Sequence, residues 1–218
     1  MSIRVNLWFL LFMSNKIQDL LTKAELQKNS ATREQSSVTN AERTFSNHAE
    51  AETIFDQLKE KLFHINRWNT ASGISGYKLF DENGNDRGDE RAIVGDFIRI
   101  SLTGSGKYDW VRIIDIYQAP NEVVLTVQPS FNPTEPAPDE KEISHFFTDD
   151  ATNNFCLQRN GKDLKLYVIG LSEKTNTTET NNLLETARNF ATANLGSYLG
   201  IQIGEWKKFC ESFLETKK

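Results

Sequence analysis

YDWVRIIDIYQAPNEVVLTVQP, residues 108–129, decides the fold. Trp110, Ile114 and Ile116 fall on one side of the alternation with Arg112, and Val111, Ile113 and Tyr117 fall on the other. A two-residue period rich in β-branched and aromatic side chains is a strand pattern. Pro120-Asn121 breaks it, and Val123, Leu125 and Val127 resume it up to Pro129. Two strands joined by so short a turn pair antiparallel.

The same reading extends outward. Upstream, Phe97 to Leu102 alternates and turns at Gly104-Ser105-Gly106, and Tyr77 to Asp81 leads into Asn83-Gly84 within DENGNDRGDE. Downstream, four of the five prolines lie between Pro129 and Pro138 and mark a stiff loop. Ile143 to Thr148, Phe155 to Arg159, the turn Asn160-Gly161, and Leu164 to Leu171 follow. Before the strands, Ala51, Phe55, Leu58, Leu62 and Ile65 fall at helical intervals, with acids at the start and Lys59 and Lys61 near the end, as the helix dipole favours. After them, Thr178 or Thr180 caps a helix with Leu183, Leu184, Ala187, Phe190 and Ala191 on its inner face, and Trp206, Phe209, Cys210, Phe213 and Leu214 share one side of a last segment. A helix, an antiparallel meander of about six to seven strands and closing helices make an α+β class.

The chain has 218 residues, 38% of them hydrophobic, and a net charge of −5. That size suits one domain with an appendage. Ordinary aromatic content and 25% charge exclude wholesale disorder and collagen-like chains. The first 50 residues hold six basic and five acidic groups, so the remainder carries −6 and disfavours nucleic acid as a partner. Two cysteines, Cys156 and Cys210, without a neighbouring Cys or His at ligand spacing, give neither a disulfide framework nor a metal site. They read as buried free thiols, and no cofactor is implied.

Residues 1–50 are expected to be a non-domain extension, and residues 51–218 a single α+β domain. Leu7 to Met13 is an apolar run far too short for a membrane span, and no small-residue cleavage site follows it. Met13, followed by Ser14-Asn15-Lys16, reads as the true start, with residues 1–12 a misassigned extension. Ile17, Leu20, Leu21, Ala24 and Leu26 predict a short helix, and the polar stretch from Gln27 to Asn47 predicts a linker or arm. With no membrane span, the chain is read as cytoplasmic.

INRWN (residues 65–69), VGDFIRI (94–100), YDWVRI (108–113) and HFFTDDATNNF (145–155), in this element order, resemble an uncharacterised bacterial family of the START-like and pollen-allergen-like helix-grip superfamily. The resemblance covers residues 51–215. It implies a curved sheet wrapped around a long C-terminal helix, with a cavity between them. Members of that superfamily commonly bind lipids, sterols or other apolar small molecules there, and some catalyse cyclisation or hydrolysis. An OB-like barrel with added helices is the rival architecture.

Several groups carry potential chemistry. Asp81, Asn83, Asn85 and Asp86 resemble the start of a calcium loop, but Asp86 and Ala92 stand where Gly and Glu are required, so hairpin chemistry explains them. His145 with Asp149 and Asp150 is the one His–carboxylate cluster of the body, suited to a general base whose tautomer a carboxylate fixes. Arg112 beside Trp110 either anchors an acidic head group in the cavity or faces solvent as a cross-strand partner. Trp68, Trp206 and Phe190 either line the same cavity or form core. Three functions follow as expectations: a module enclosing a small apolar or amphipathic ligand, lined by Trp68, Trp110, Arg112 and Phe190; a cyclase or hydrolase using His145 and Asp149; and a protein-interaction domain.

Overall fold

The computed structural model describes residues 15–30, 35–71, 75–102, 108–135, 147, 149–173 and 195–215. Among them the chain runs α1 (Lys16–Lys28), β1 (Gln35–Thr44), α2 (His48–Phe63), a 3-10 helix (Ile65–Thr70), β2 (Ser75–Phe80), β3 (Phe97–Leu102), β4 (Tyr108–Ala119), β5 (Glu122–Pro129), β6 (Thr152–Asn160), β7 (Asp163–Glu173) and α3 (Leu195–Leu214). The seven strands form one antiparallel sheet in the order β1-β7-β6-β5-β4-β3-β2. This is the α+β helix-grip arrangement expected from the sequence: a curved sheet with helices on its inner face and a long C-terminal helix. The end strands β1 and β2 are not partners, so the described strands do not close into an OB-like barrel.

α2 begins where Asn47 accepts a hydrogen bond from the Glu50 amide at 2.9 Å while the Glu50 carboxylate accepts from the Ser46 amide at 3.0 Å. These contacts satisfy amides that a helix start leaves unpaired. Its predicted stripe, Ala51, Phe55, Leu58 and Leu62, is buried together with Ile65. That stripe packs on the inner-facing residues Val111, Ile113, Leu125, Val127, Phe155, Leu157, Leu164, Leu166 and Val168 in one continuous core. The 3-10 helix then closes one sheet edge. Asn69 donates to the Tyr77 carbonyl at 3.0 Å and accepts from its amide at 2.7 Å, and Asn66 accepts from the Leu79 amide at 3.0 Å. Two side-chain amides thus take the place of a neighbouring strand along β2, an edge otherwise open to pairing.

Two sequence expectations are corrected. Within the polar stretch 27–47, residues 35–44 are not a linker: they pair with β7 from Gln35↔Glu173 to Thr44↔Asp163 as an edge strand of the sheet. Its inward positions are Ser37, Thr39, Ala41 and Arg43, small or polar, so no apolar alternation announces it. The helix before it, α1, is where the spacing placed it. It lies on the outer face of the sheet, burying Ile17, Leu20 and Ala24 against Val124, Cys156, Ile169 and Leu171. Lys16 pairs with Asp115 at 3.3 Å, and the Ser36 hydroxyl donates to the Ala24 carbonyl at 2.6 Å.

The second correction concerns β4. Pairing with β5 passes from Ile113↔Val127 to Asp115↔Thr126, so Ile114 is an extra, bulged residue. The bulge reverses the side-chain alternation. Trp110 and Arg112 face outward, whereas Ile116, expected on their side, packs against the inner core. No helix among the described residues is long and apolar enough to cross a membrane.

Candidate functional site

At the C-terminal half of α3 the space between helix and sheet is filled by the chain's own aromatic rings. Trp68 lies 4.6 Å from Phe155, 5.4 Å from Phe209 and 5.5 Å from Tyr77, centroid to centroid. Trp206 and Phe213 flank Phe209 at 5.8 and 5.4 Å. Edge-to-face stacking of this kind adds to the burial energy and leaves no room for a guest. The helix end is fixed by two cations. Arg43 donates to the Leu214 carbonyl at 2.9 Å, and Lys61 donates to the Phe213 carbonyl at 3.1 Å, both interactions favoured by the helix dipole. Beside it an open groove of about 460 Å³ lies between β1 and α3, lined by Ala41, Glu42, Arg43, Glu211, Leu214 and Glu215.

The inner face changes character towards the other end of β1. There Asn153 of β6 lies opposite Gly170 of β7, and Gly170 lies opposite Ser37 of β1. Leu164, Leu166 and Val168 precede Gly170 on the inner side of β7, so the position of its absent side chain is inward. A Cβ built there would overlap the Glu173 carboxylate and come within 2.6 Å of the Ser37 hydroxyl oxygen. Both groups therefore lie over the glycine, and cross-strand neighbours stand about 5 Å apart. Glycine is used here for close approach rather than for an unusual φ.

The turn that aims Glu173 inward is local. Ser172 is the one non-glycine residue with positive φ, 52°, among the described residues. The irregular pairing between Gln35 and Ser37 accompanies it. Asn or Gly would occupy such a conformation more readily, so the serine is held there by partners. Its hydroxyl accepts from Gln27 Nε2 at 2.9 Å, and its amide donates to Gln27 Oε1 at 3.0 Å.

The electrostatics of this end are those of an uncompensated oxygen cluster. Glu173 is 5% exposed, and burial pushes its carboxyl up to about 7, opposed by the hydrogen bond that the Ser37 hydroxyl donates to it. No Lys or Arg ion pair to Glu173 is present among the described residues. By contrast, the buried Asp96 carboxyl accepts from Arg87 at 2.5 Å and from the Ile93 amide at 2.9 Å. Asn153 is 8% exposed and its Oδ1 has no hydrogen-bond partner among the described residues. An unpaired buried acceptor costs about 1–3 kcal/mol, so the arrangement is not explained by stability.

Of the residues singled out in the sequence, the described ones are dispersed rather than gathered here. Trp68 belongs to the closed aromatic stack, its indole N–H donating to the Leu62 carbonyl at 3.2 Å. Trp110 packs with Phe80, Phe97 and Phe131 on the outer face. Arg112 lies over the Phe97 ring at 5.7 Å and donates to the Gly95 carbonyl at 3.4 Å, so it does not reach the concave face. Asp149 is exposed, and its backbone carbonyl accepts from the Gln128 side chain. His145 and Phe190 lie outside the described residues. Asp81 Oδ1 accepts from the Asn83 and Asn85 amides at 2.9 and 2.8 Å, the turn chemistry expected of that loop. Both cysteines are buried free thiols; burial pushes Cys156 far up and Cys210 up to about 12, so neither is a thiolate at neutral pH. Glu173, Asn153 and Ser37 were not legible as a site. The one signal was a glycine on an inward position of an otherwise apolar strand.

No protein-family model matches the chain, and no curated protein matches it. Among solved structures it is similar to a hypothetical protein of Helicobacter pylori, at 7% identity over 82% of this chain and 86% of that one, with a TM-score of 0.45. A protein of Thermus thermophilus is similar at 9% identity, over 82% and 94% of the two chains, with a TM-score of 0.40. The major latex-like protein 151 of Panax ginseng is similar at 14% identity, over 71% and 95%, with a TM-score of 0.36.

Proposed function

We propose that this chain is a binding module that encloses one small amphipathic molecule between the concave face of the sheet and the N-terminal half of α3. Arg43 meets Leu214, and Lys207 donates to the Asn40 carbonyl at 2.9 Å. β1 and α3 therefore run parallel, and the Ser37 end of β1 lies towards the start of the helix. The observation that carries the reading is the oxygen cluster of Ser37, Asn153 and Glu173 around Gly170, buried on the concave face with one acceptor unpartnered. A ligand site sets a few placed polar groups against apolar surface, and the polar groups here border the inward-facing Val127 and Ile113. The molecule's polar end sits on the cluster, and its apolar body lies along the inner-facing Val127 and Ile113, the next residues across the sheet from Asn153.

Native mass spectrometry of the freshly purified full chain, compared with the same sample denatured, tests the reading. A bound mass released on denaturation is expected. A chain that carries no small molecule, and that binds no short amphiphile in solution, removes the proposal.

A further inference from the structure

We infer that the molecule held at this cluster presents a protonated amine to Ser37, Asn153 and Glu173. The inference rests on the enclosing reading above and names its ligand class. All three groups offer oxygens: a carboxylate, an amide Oδ1 and a hydroxyl. The Ser37 hydroxyl is committed as a donor to Glu173, and its lone pairs remain free to accept. Asn153 Oδ1 is buried with no donor among the described residues, more than nine-tenths of the residue being out of solvent. Glu173 has no cation beside it among the described residues.

An ammonium group carries three N–H donors and one positive charge, so a single atom can meet three acceptors and neutralise a buried carboxylate. An alcohol brings one donor and no charge, and leaves part of the cluster unpaired. A carboxylate or phosphate brings only acceptors and a second negative charge, which the site repels. Gly170 is the floor of the cluster, and any side chain there would take the space occupied by the Glu173 carboxylate and the Ser37 hydroxyl, with Asn153 directly across the strand pair.

The test uses the full chain at about pH 8, where an alkylamine is still protonated and most of the Glu173 carboxyl is ionised. Octylamine, 1-octanol and octanoate are titrated by calorimetry into the wild type, Glu173→Gln and Asn153→Leu, each variant first checked by circular dichroism and urea unfolding. The amine is expected to bind the wild type at least about tenfold more tightly than 1-octanol, as a charge-assisted bond would give. Glu173→Gln is expected to abolish that preference while leaving 1-octanol within about threefold, and Asn153→Leu to weaken the amine several-fold. If the alcohol or the acid binds as well as the amine, or Glu173→Gln leaves the amine unaffected, the amine assignment is wrong and the enclosing module stands. If none of the three binds and nothing co-purifies, the enclosing reading fails and this inference with it. Should Glu173→Gln not fold, Asn153→Leu and the wild-type preference decide alone.

Discussion

Gln27 grips Ser172 through both ends of its side-chain amide, at 2.9 and 3.0 Å, from the face of the sheet opposite to the one that Glu173 enters. Ser172 holds a left-handed φ of 52°, and the very next residue carries the buried carboxyl. A helix on the outer surface therefore sets the backbone that positions a group on the inner one.

Removing that grip is the first prediction. Gln27→Ala deletes two hydrogen bonds and should destabilise the chain by about 1–2 kcal/mol, measured by urea unfolding. The amides of Ser172 and Glu173 should lose hydrogen-exchange protection before the rest of β7 does. Unchanged protection at those two amides would show that Ser172 holds its conformation without Gln27.

Glu173 should make stability depend on pH with a definite sign. Its folded value, about 7, is above the ordinary 4.5, so the folded chain binds that proton more tightly than the unfolded one. Its contribution is full below pH 4.5 and is lost as pH rises to about 7, amounting to about 3 kcal/mol. Urea unfolding of the wild type and Glu173→Gln over this range should give curves that diverge, the variant gaining relative stability as pH rises. Parallel curves would mean that the carboxyl is solvated.

Gly170→Ala places a methyl group where the Glu173 carboxylate and the Ser37 hydroxyl lie. Overpacking of this kind costs about 1–3 kcal/mol. Displaced towards solvent, Glu173 should then titrate nearer to the ordinary carboxylate range. A stable Gly170→Ala variant with Glu173 still titrating near neutrality would contradict the close approach.

Phe209 stands at the centre of the aromatic stack between α3 and the sheet. Phe209→Ala should cost about 3–5 kcal/mol and open a cavity, detectable as a loss of cooperativity or as new binding of a small aromatic such as benzene. A cost under about 1 kcal/mol would indicate that this end is loosely packed and not the closed wall inferred for it.

What the sequence disclosed was packing, and what it concealed was register and small residues. The buried stripe from Ala51 to Ile65 and the alternation of Val123, Leu125 and Val127 were legible because large apolar side chains repeat at the period of their element. β4 was legible only as far as Ile113, since the bulge at Ile114 depends on the strand opposite and not on β4's own residues. β1 was invisible because its inward Ser37, Thr39 and Ala41 carry no large side chain. The same smallness frames the candidate site, so the features that hid the strand hid the cluster. Nothing in the sequence around Glu173, at a strand end next to a serine, sets it apart from a surface acid.

The most direct measurement is a carboxyl ¹³C NMR titration of the full chain with labelled glutamate, with the Glu173 signal assigned from its loss in Glu173→Gln. A midpoint near 7 in the free protein, moving down when octylamine is added, is the predicted result. A Glu173 signal titrating near 4.5, indifferent to added amine, would contradict both the buried cluster and the ligand assigned to it.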